Sequence, residues 1–539
     1  MSGGQALARA LQAEGIDLVF GIVGTHNVVL FDALYGAGGL RVVTTRNEQG
    51  AGFMADGYAR ATGRVAACVV VPGPGLTNLL TPLGQAQLDS VPILAITGQN
   101  RLARLDRHLE DFHELRDSLR VAGAVTASAV RVGSPADIPS AVGAAMRLMR
   151  TARPRPTLIE VPMDVAAAED EVEPLAPSEG ESRPSADPRA IAQAAELLGA
   201  ALRPLVIAGG GAVSAEAGPS VRRVAQRLGA PVLMSVHGRG AVADDDPLSL
   251  GNGWSRLDYF DALFAEADIS LVVGWSLDEV TDLRRGARLP RALVQIDIDP
   301  SAIGRQRPVT AGLVGDARLV LQQLETALGN DRREPWWDGP TLRARKRQTL
   351  EAVAGPVVSV LADVRAALPR DAIVADDLCL PGYWAVAGLD VYEPRTFLHP
   401  GEYGSLGFAL PAAIGAGLGR PDRRVVALCG DGGFLYTSQE LATAVQERVN
   451  VTAIVFNDHA YGALKLYQDR HLGGRRIGVE LHNPDYARLA DAFGARGVKL
   501  RASDELRPAL VEAVEQEGPT VIECPLEPRF SSIRPPWMA

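Results

Sequence analysis

The chain has 539 residues, 47% hydrophobic and 22% charged, which is a globular composition with enough length for about three domains. Its 54 Lys and Arg stand against 64 Asp and Glu, and the net charge of −10 comes without a basic block, which removes the electrostatic footprint of a nucleic-acid binder. No uninterrupted apolar run reaches the roughly 18 residues of a membrane span, MSGGQALARALQAEG lacks the basic and apolar regions of an export signal, and Cys68, Cys379, Cys429 and Cys524 lie far apart, so the expectation is a cytoplasmic protein with no membrane partner and with reduced thiols.

Strand-like and helical text alternate along the whole chain, which predicts an α/β fold class with three doubly wound parallel-sheet domains. The first, residues 1–165, carries VAACVVVPGPG, VPILAITGQ and PTLIEVPMD, short β-rich runs bounded by Pro or Gly as buried parallel strands are. Residues 166–188, rich in Pro, Glu and Ser, predict a solvated linker. A central Rossmann-like unit follows at 189–329 with PLVIAGGGA, APVLMSV, ISLVVGW and ALVQIDIDP. Its Gly cluster, with Asp297 and Asp299, suits either a nucleotide turn or plain structure. The polar stretch at 330–356 reads as a second linker, and 357–539 as a third unit opened by AIVADD and VVALCGDGG. No internal repeat is visible.

Several chemistry-bearing residues fall just after predicted strands, where open α/β sheets bind ligands. Glu48 follows RVVTT and opens a helix of small residues. The loops FGIVGTHN and VVPGPGLTN follow two other strands and bring Thr25, His26, Pro72 and Asn78. His26, and His113 in LEDFHEL, are proton-relay candidates because His titrates near neutrality. In the third unit one strand ends at Gly430, Asp431, Gly432 and Gly433, a helix follows, and the strand VTAIVF then stops at Asn457 and Asp458. Asp431, Asp458 and a carbonyl near Ala460 offer hard oxygen ligands for a divalent cation, and the glycines let backbone N–H groups approach a diphosphate.

The stretch from Gly430 through NDHAYG resembles the cofactor motif of thiamine-diphosphate enzymes, which begins Gly-Asp-Gly and closes on Asn-Asn about thirty residues later. RNEQGA followed by ADGYARATG resembles the pyrimidine-binding domain of acetolactate synthases and 2-oxo acid decarboxylases, and PGEYGSLGFALPAAIGAG is similar to the corresponding stretch of benzoylformate decarboxylases. The resemblance implies thiamine diphosphate and Mg2+ as cofactors, with FAD in the central domain not favoured. It makes Glu48 the acid that tautomerises the aminopyrimidine, Leu406 the wedge beneath the bent cofactor and the Gly404 carbonyl an acceptor. Tyr461 and Gly462 join the cofactor residues, Asp431, Asp458 and Ala460 hold the metal, and Thr25, His26, Phe112 and Leu464 face substrate. His26, Gln99 and His113 join Glu48 as catalytic candidates. Three departures stand out: Asp458 replaces the family's second Asn, Leu464 stands where pyruvate decarboxylases have Glu, and Val71 where benzoylformate decarboxylases have His.

The implied reaction is non-oxidative decarboxylation of a small-molecule 2-oxo acid through an enamine. The alternatives are an acetolactate synthase-like or hydroxyketone-forming carboligase or lyase, and a non-catalytic cofactor-binding homologue. The resemblance also implies a homodimer or homotetramer with sites between subunits.

Overall fold

The computed structural model describes residues 1–173, 183–253, 257–277 and 289–535, so positions 174–182 of the first expected linker lie outside the described residues. Three six-stranded sheets follow one another along the chain, and every strand pair in them is parallel. The first comprises β1 (Leu18–Gly21), β2 (Arg41–Thr44), β3 (Ala66–Val70), β4 (Ile93–Gln99), β5 (Ser128–Arg131) and β6 (Thr157–Pro162), in the order β2-β1-β3-β4-β6-β5. The second comprises β7 (Pro204–Ala208), β8 (Val232–Met234), β9 (Ser249–Asn252), β10 (Ile269–Val273), β11 (Ala292–Asp297) and β12 (Ala311–Val314), ordered β12-β11-β10-β7-β8-β9. The third comprises β13 (Ile373–Asp376), β14 (Phe397–Leu398), β15 (Val425–Gly430), β16 (Val451–Asn457), β17 (Arg496–Lys499) and β18 (Thr520–Pro525), ordered β14-β13-β15-β16-β18-β17.

Central strands such as β3, β4 and β16 are buried at every residue, because crossover helices cover both faces of a parallel sheet. That is why their sequences run apolar without alternation. In each sheet the chain winds first to one side and then to the other. The reversal falls between β1 and β3 in the first sheet, β7 and β10 in the second, and β13 and β15 in the third. Loops leaving such a pair of strands diverge and open a crevice at their carboxyl ends.

The outer sheets share one apolar core, which runs from Phe20 and Phe53 to Phe408, Ile414 and Val455. At its centre α1 (Glu48–Thr62) lies against the helix Ala409–Gly419, and both are rich in small residues. A methyl group added at Gly57 would collide with the Ala412 carbonyl, and one at Gly415 with the Met54 carbonyl, so the two backbones touch only because these positions are glycine. This contact fixes the first sheet against the third.

Arg60 on α1 pairs with Asp56 and, at 2.7 Å, with Asp89 at the end of α2 (Pro74–Asp89). Asp89 also accepts the backbone N–H groups of Gly401 and Glu402. Burial alone would raise Asp89, but His237 and Arg60 beside it hold its carboxyl well below the usual range. One buried carboxylate thus anchors the loop that leads to Gly404 and Leu406.

The polar stretch expected as a linker from 330 to 356 is helical over much of its length, as part of Gly339–Ala367, with a kink at Ala354. Leu350, Ala354, Val357, Val360 and Leu361 face the core, and this buried stripe keeps a charged segment helical. Among the described residues no helix is long and apolar enough to cross a membrane.

Candidate active site

Residues that the sequence places after strands gather in two groups, one on each outer sheet. On the first sheet, Asn47 caps α1 by accepting the Gln49 N–H at 2.8 Å, so Glu48 begins the helix with its backbone fixed. The carboxylate of Glu48 accepts one hydrogen bond, from the Asn78 amide at 3.0 Å, and its other oxygen packs against the turn at Gly75. Among the described residues that second oxygen has no hydrogen-bond partner, which leaves it open to a ligand. Gly73 adopts φ +60 directly against the backbone of His113, and only glycine fits both conditions. Pro72 is buried beside it, whereas Thr25 is exposed at the loop tip.

His26 is buried, with its ring stacked on His113 at 5.1 Å and on Phe112 at 5.8 Å between centroids. The Asn100 amide nitrogen donates to the Phe112 carbonyl at 3.1 Å, so its oxygen faces His26 Nε2 at 3.0 Å. His26 therefore donates from Nε2 and keeps Nδ1, buried and without a partner, as its free nitrogen. His113 has φ +64, and burial, followed by its neighbour His26, lowers its pKa. Phe112 is largely exposed beside them.

Gln99, a catalytic candidate by the resemblance, is hydrogen-bonded within the fold. Its amide nitrogen donates to Ser118 and Glu160 and its oxygen accepts the Asn100 N–H, so the side chain is committed to a buried network behind the loop. From there it holds Asn100, which in turn holds His26. Asn100 is the residue that sequence reading missed, although it is adjacent to Gln99 in ITGQN.

On the third sheet, β15 delivers Asp431 at the start of α4, which in chain order follows α3 (Ala409–Gly419) and spans Asp431–Leu435; β16 delivers Asp458. Asp431 accepts the N–H of Gly432 at 2.8 Å, the N–H of Ala460 at 3.2 Å and the amide of Asn483 at 2.6 Å. Asp458 accepts the same Ala460 N–H at 3.2 Å. The loop turns through His459 at φ +54, a left-handed conformation that brings both carboxylates to one backbone amide. Asp458 also lies over Gly462, the first residue of α5 (Gly462–His471), and any side chain there would collide with it.

Leu406, Gly430 to Gly433, Asp458, Ala460, Tyr461, Gly462 and Leu464 line one cavity with Asp377, Cys379 and Tyr383. Gly404 stands at φ +67 just before it. Burial raises Asp431, while burial and then the charge of Asp431 push Asp458 up to about 7. Neither carboxylate has an ion-pair partner among the described residues. No third His, Cys, Asp or Glu completes a metal cluster with them there, so further ligands have to be backbone, ligand or water oxygens. A buried and a half-buried acid without an ion-pair partner among the described residues, over a glycine cradle, fit a divalent ion bound with a diphosphate.

Asp377 is the second residue missed. Burial pushes its carboxyl up to about 7, and it accepts the Gly407 N–H at 2.9 Å, fixing the turn that carries Leu406. Its signal was the carboxylate pair ending AIVADD.

The order of these features is also the order of three family matches. Residues 1–119 match "Thiamine pyrophosphate enzyme, N-terminal TPP binding domain", residues 191–324 the "central domain" of the same enzymes, and residues 379–524 their "C-terminal TPP binding domain". The chain belongs to the thiamine pyrophosphate enzymes. It is 39% identical over 541 residues to a protein named probable 2-ketoarginine decarboxylase AruI of Pseudomonas aeruginosa, covering 97% of this chain and 94% of that protein. It is 34% identical over 543 residues to the acetolactate synthase large subunit of Corynebacterium glutamicum, covering 97% and 86%. The probable acetolactate synthase large subunit of Methanocaldococcus jannaschii is 31% identical over 557 residues, covering 98% and 92%. Both branches of the expectation, decarboxylase and acetolactate synthase-like enzyme, are thus represented among its relatives.

In this thiamine pyrophosphate enzyme the two groups of site residues stand on different sheets, Glu48, His26 and His113 on the first and Asp431 and Asp458 on the third. The cavity around Asp431 is lined only by residues of the third unit, and Glu48, His26 and His113 lie elsewhere on the first.

Proposed function

We propose that this enzyme decarboxylates a 2-oxo acid larger than pyruvate, using thiamine diphosphate and Mg2+, in a cytoplasmic homodimer or homotetramer whose sites are completed by a second copy of the chain. The observation that carries the reading is the complementary pair of half-sites: a carboxylate with one open oxygen at Glu48, and two carboxylates without an ion-pair partner among the described residues, over a glycine cradle, at Asp431 and Asp458. When bound, the cofactor supplies an electron sink for the pair released as carbon dioxide departs.

The chain's own residues do the rest. Asp431 and Asp458 hold the cation, and the N–H groups at the start of α4 face the phosphates. The open oxygen of Glu48 would hold a proton toward the aminopyrimidine, while Asn78 keeps the carboxylate oriented. Leu406 and the Gly404 carbonyl would support the cofactor from below. His26, whose Nε2 is tied to Asn100, presents Nδ1 as the atom that takes or returns a proton, with His113 stacked beside it.

The full-length likeness to a probable 2-ketoarginine decarboxylase supports decarboxylation and a long side chain. So do Leu464, an apolar wall in place of an acid, and Glu110, exposed near Phe112 and His113 and without an ion pair among the described residues. The acetolactate synthase relatives favour carboligation as the second reading. The central domain is read as holding no flavin.

Purified protein with saturating thiamine diphosphate and Mg2+ should release carbon dioxide from 2-ketoarginine or another long 2-oxo acid, with kcat/KM about tenfold or more above that for pyruvate. An acetohydroxy acid as main product would replace this reading with the second. No carbon dioxide from any acid in a broad panel would leave a cofactor-binding protein without this activity, and a yellow preparation would reverse the flavin reading.

A further inference from the structure

The helix start that carries Glu48 is gripped from the other sheet. Glu440 is fully buried in the turn that follows α4, and it accepts hydrogen bonds from the backbone N–H of Asn47 at 2.9 Å and of Arg46 at 3.2 Å, the latter shared between its two oxygens. The Thr443 hydroxyl donates to it at 2.7 Å and orients the carboxylate. Burial raises its pKa, and the backbone amides and Thr443 oppose that rise. No Lys or Arg side chain forms an ion pair with it among the described residues. The Arg46 guanidinium turns away, to the Thr44 carbonyl and Gln446.

Gly50 gives an independent observation from the facing side. A methyl group there would collide with the Glu440 carboxylate, so the first turn of α1 rests directly on that side chain. A buried acid that binds two consecutive amides immediately before a functional residue is costly unless those bonds are needed to hold the local backbone.

From this geometry we infer that Glu440 is a positioning residue for Glu48: it locks the Arg46–Glu48 turn so that the open carboxylate oxygen is presented in one place. The inference rests on the proposed role of Glu48. Glu440 follows Asp431 by one short helix and a turn in the same chain. If cofactor spans two chains as proposed, this contact joins the metal-binding segment of one site to the Glu48 of the neighbouring site.

The required property is acceptor geometry rather than charge, and this separates the variants. In Glu440→Gln the side-chain carbonyl still accepts from Asn47 and Arg46, while its amide nitrogen donates to the Thr443 hydroxyl. Glu440→Ala removes every acceptor, and Gly50→Ala displaces the carboxylate from the opposite face. The Ala variant at 440 and the Ala variant at 50 should each lower kcat about tenfold to a hundredfold, with KM changed by less than about threefold, because a misplacement of roughly an ångström acts on the reacting geometry rather than on substrate binding. Glu440→Gln should restore most of the rate.

Amide hydrogen exchange over residues 44–53, measured on the protein without substrate, supplies the readout that does not depend on turnover. It should accelerate in both Ala variants and stay near wild type in Glu440→Gln. If Glu440→Ala folds poorly, Gly50→Ala and Thr443→Val carry the test, with the same direction expected. Unchanged exchange over 44–53 together with unchanged kcat in these variants overturns the inference. So does Glu440→Gln behaving as badly as Glu440→Ala, because charge would then be the requirement. A wild-type protein that releases no carbon dioxide would defeat the proposed function, yet the exchange comparison would still report whether Glu440 holds the turn.

Discussion

Asp458 illustrates how one atom type changes a site while leaving its shape intact. The family motif ends on two Asn residues, and here the second is a carboxylate whose Oδ1 accepts the same Ala460 N–H that Asp431 Oδ2 accepts. Both oxygens suit a hard cation, but the carboxylate adds a second buried negative charge, and burial together with Asp431 pushes Asp458 up to about 7. The protein without metal carries that like-charge cost, and a cation bound there as proposed would relieve it. Asp458→Asn should therefore stabilise the metal-free protein by on the order of 1–2 kcal/mol and weaken Mg2+ binding by about tenfold. Thermal melts in chelator and a Mg2+ titration in the presence of thiamine diphosphate measure the two effects. A variant that binds Mg2+ as tightly as the wild type would show that Asp458 is not a ligand.

Among the elements, the helix Gly339–Ala367 shows where reading from sequence reached its limit. Its first half is strongly polar, and its apolar positions are too sparse to show a face until the central sheet and the third sheet are both in place. The ligand-bearing loops were legible because each follows an apolar strand and carries glycine or a carboxylate at a defined offset. Asn100 and Glu440 were not, because nothing in their local text distinguishes a side chain that holds a neighbouring loop from one that faces water, and the acid pair that marks Asp377 does not say which turn it holds. On that long helix the half-buried Lys346 donates its ammonium to the Leu250 carbonyl at 3.3 Å near Arg239 and Asp244, and desolvation brings its pKa down to about 8. Its folded pKa is thus below the 10.5 of the free side chain, so the unfolded chain binds the extra proton between these values and stability rises with pH across that window. At neutral pH the folded protein bears the full cost of enclosing the charge. Lys346→Met should raise the melting temperature at pH 7, by an effect on the order of 3 kcal/mol at most, and the gain should shrink as pH is taken from 8 towards 10. A gain that is constant with pH would mean that packing, not the ammonium, sets the difference.

At the scale of the whole molecule, the first and third sheets have the same strand order once renumbered, β2-β1-β3-β4-β6-β5 against β14-β13-β15-β16-β18-β17. The sequence shows no repeat because buried parallel strands ask only for apolar residues, and any apolar set that fills the space will serve. The two sheets present equivalent crevices, one furnished with Glu48 and the other with Asp431 and Asp458. Within a chain the close packing of α1 on α3 joins the two sheets, and the cavity around Asp431 has no Glu48, His26 or His113 among its lining residues. A two-fold pairing of chains would bring the first crevice of one copy over the third-sheet crevice of the other, twice. Genetic complementation distinguishes this arrangement from a site built within one chain. Glu48→Gln and Asp431→Asn should each be close to inactive alone. Co-expressed with different tags, they form mixed dimers in which one site carries both lesions and the other carries none. Random pairing makes half of the dimers mixed, with one of two sites intact, so the co-purified pool should regain about a quarter of wild-type activity. Dimers purified through both tags should regain about half. Activity that stays at the level of the single variants in the doubly tagged fraction would place Glu48 and Asp431 of the same chain in one site and refute the shared arrangement.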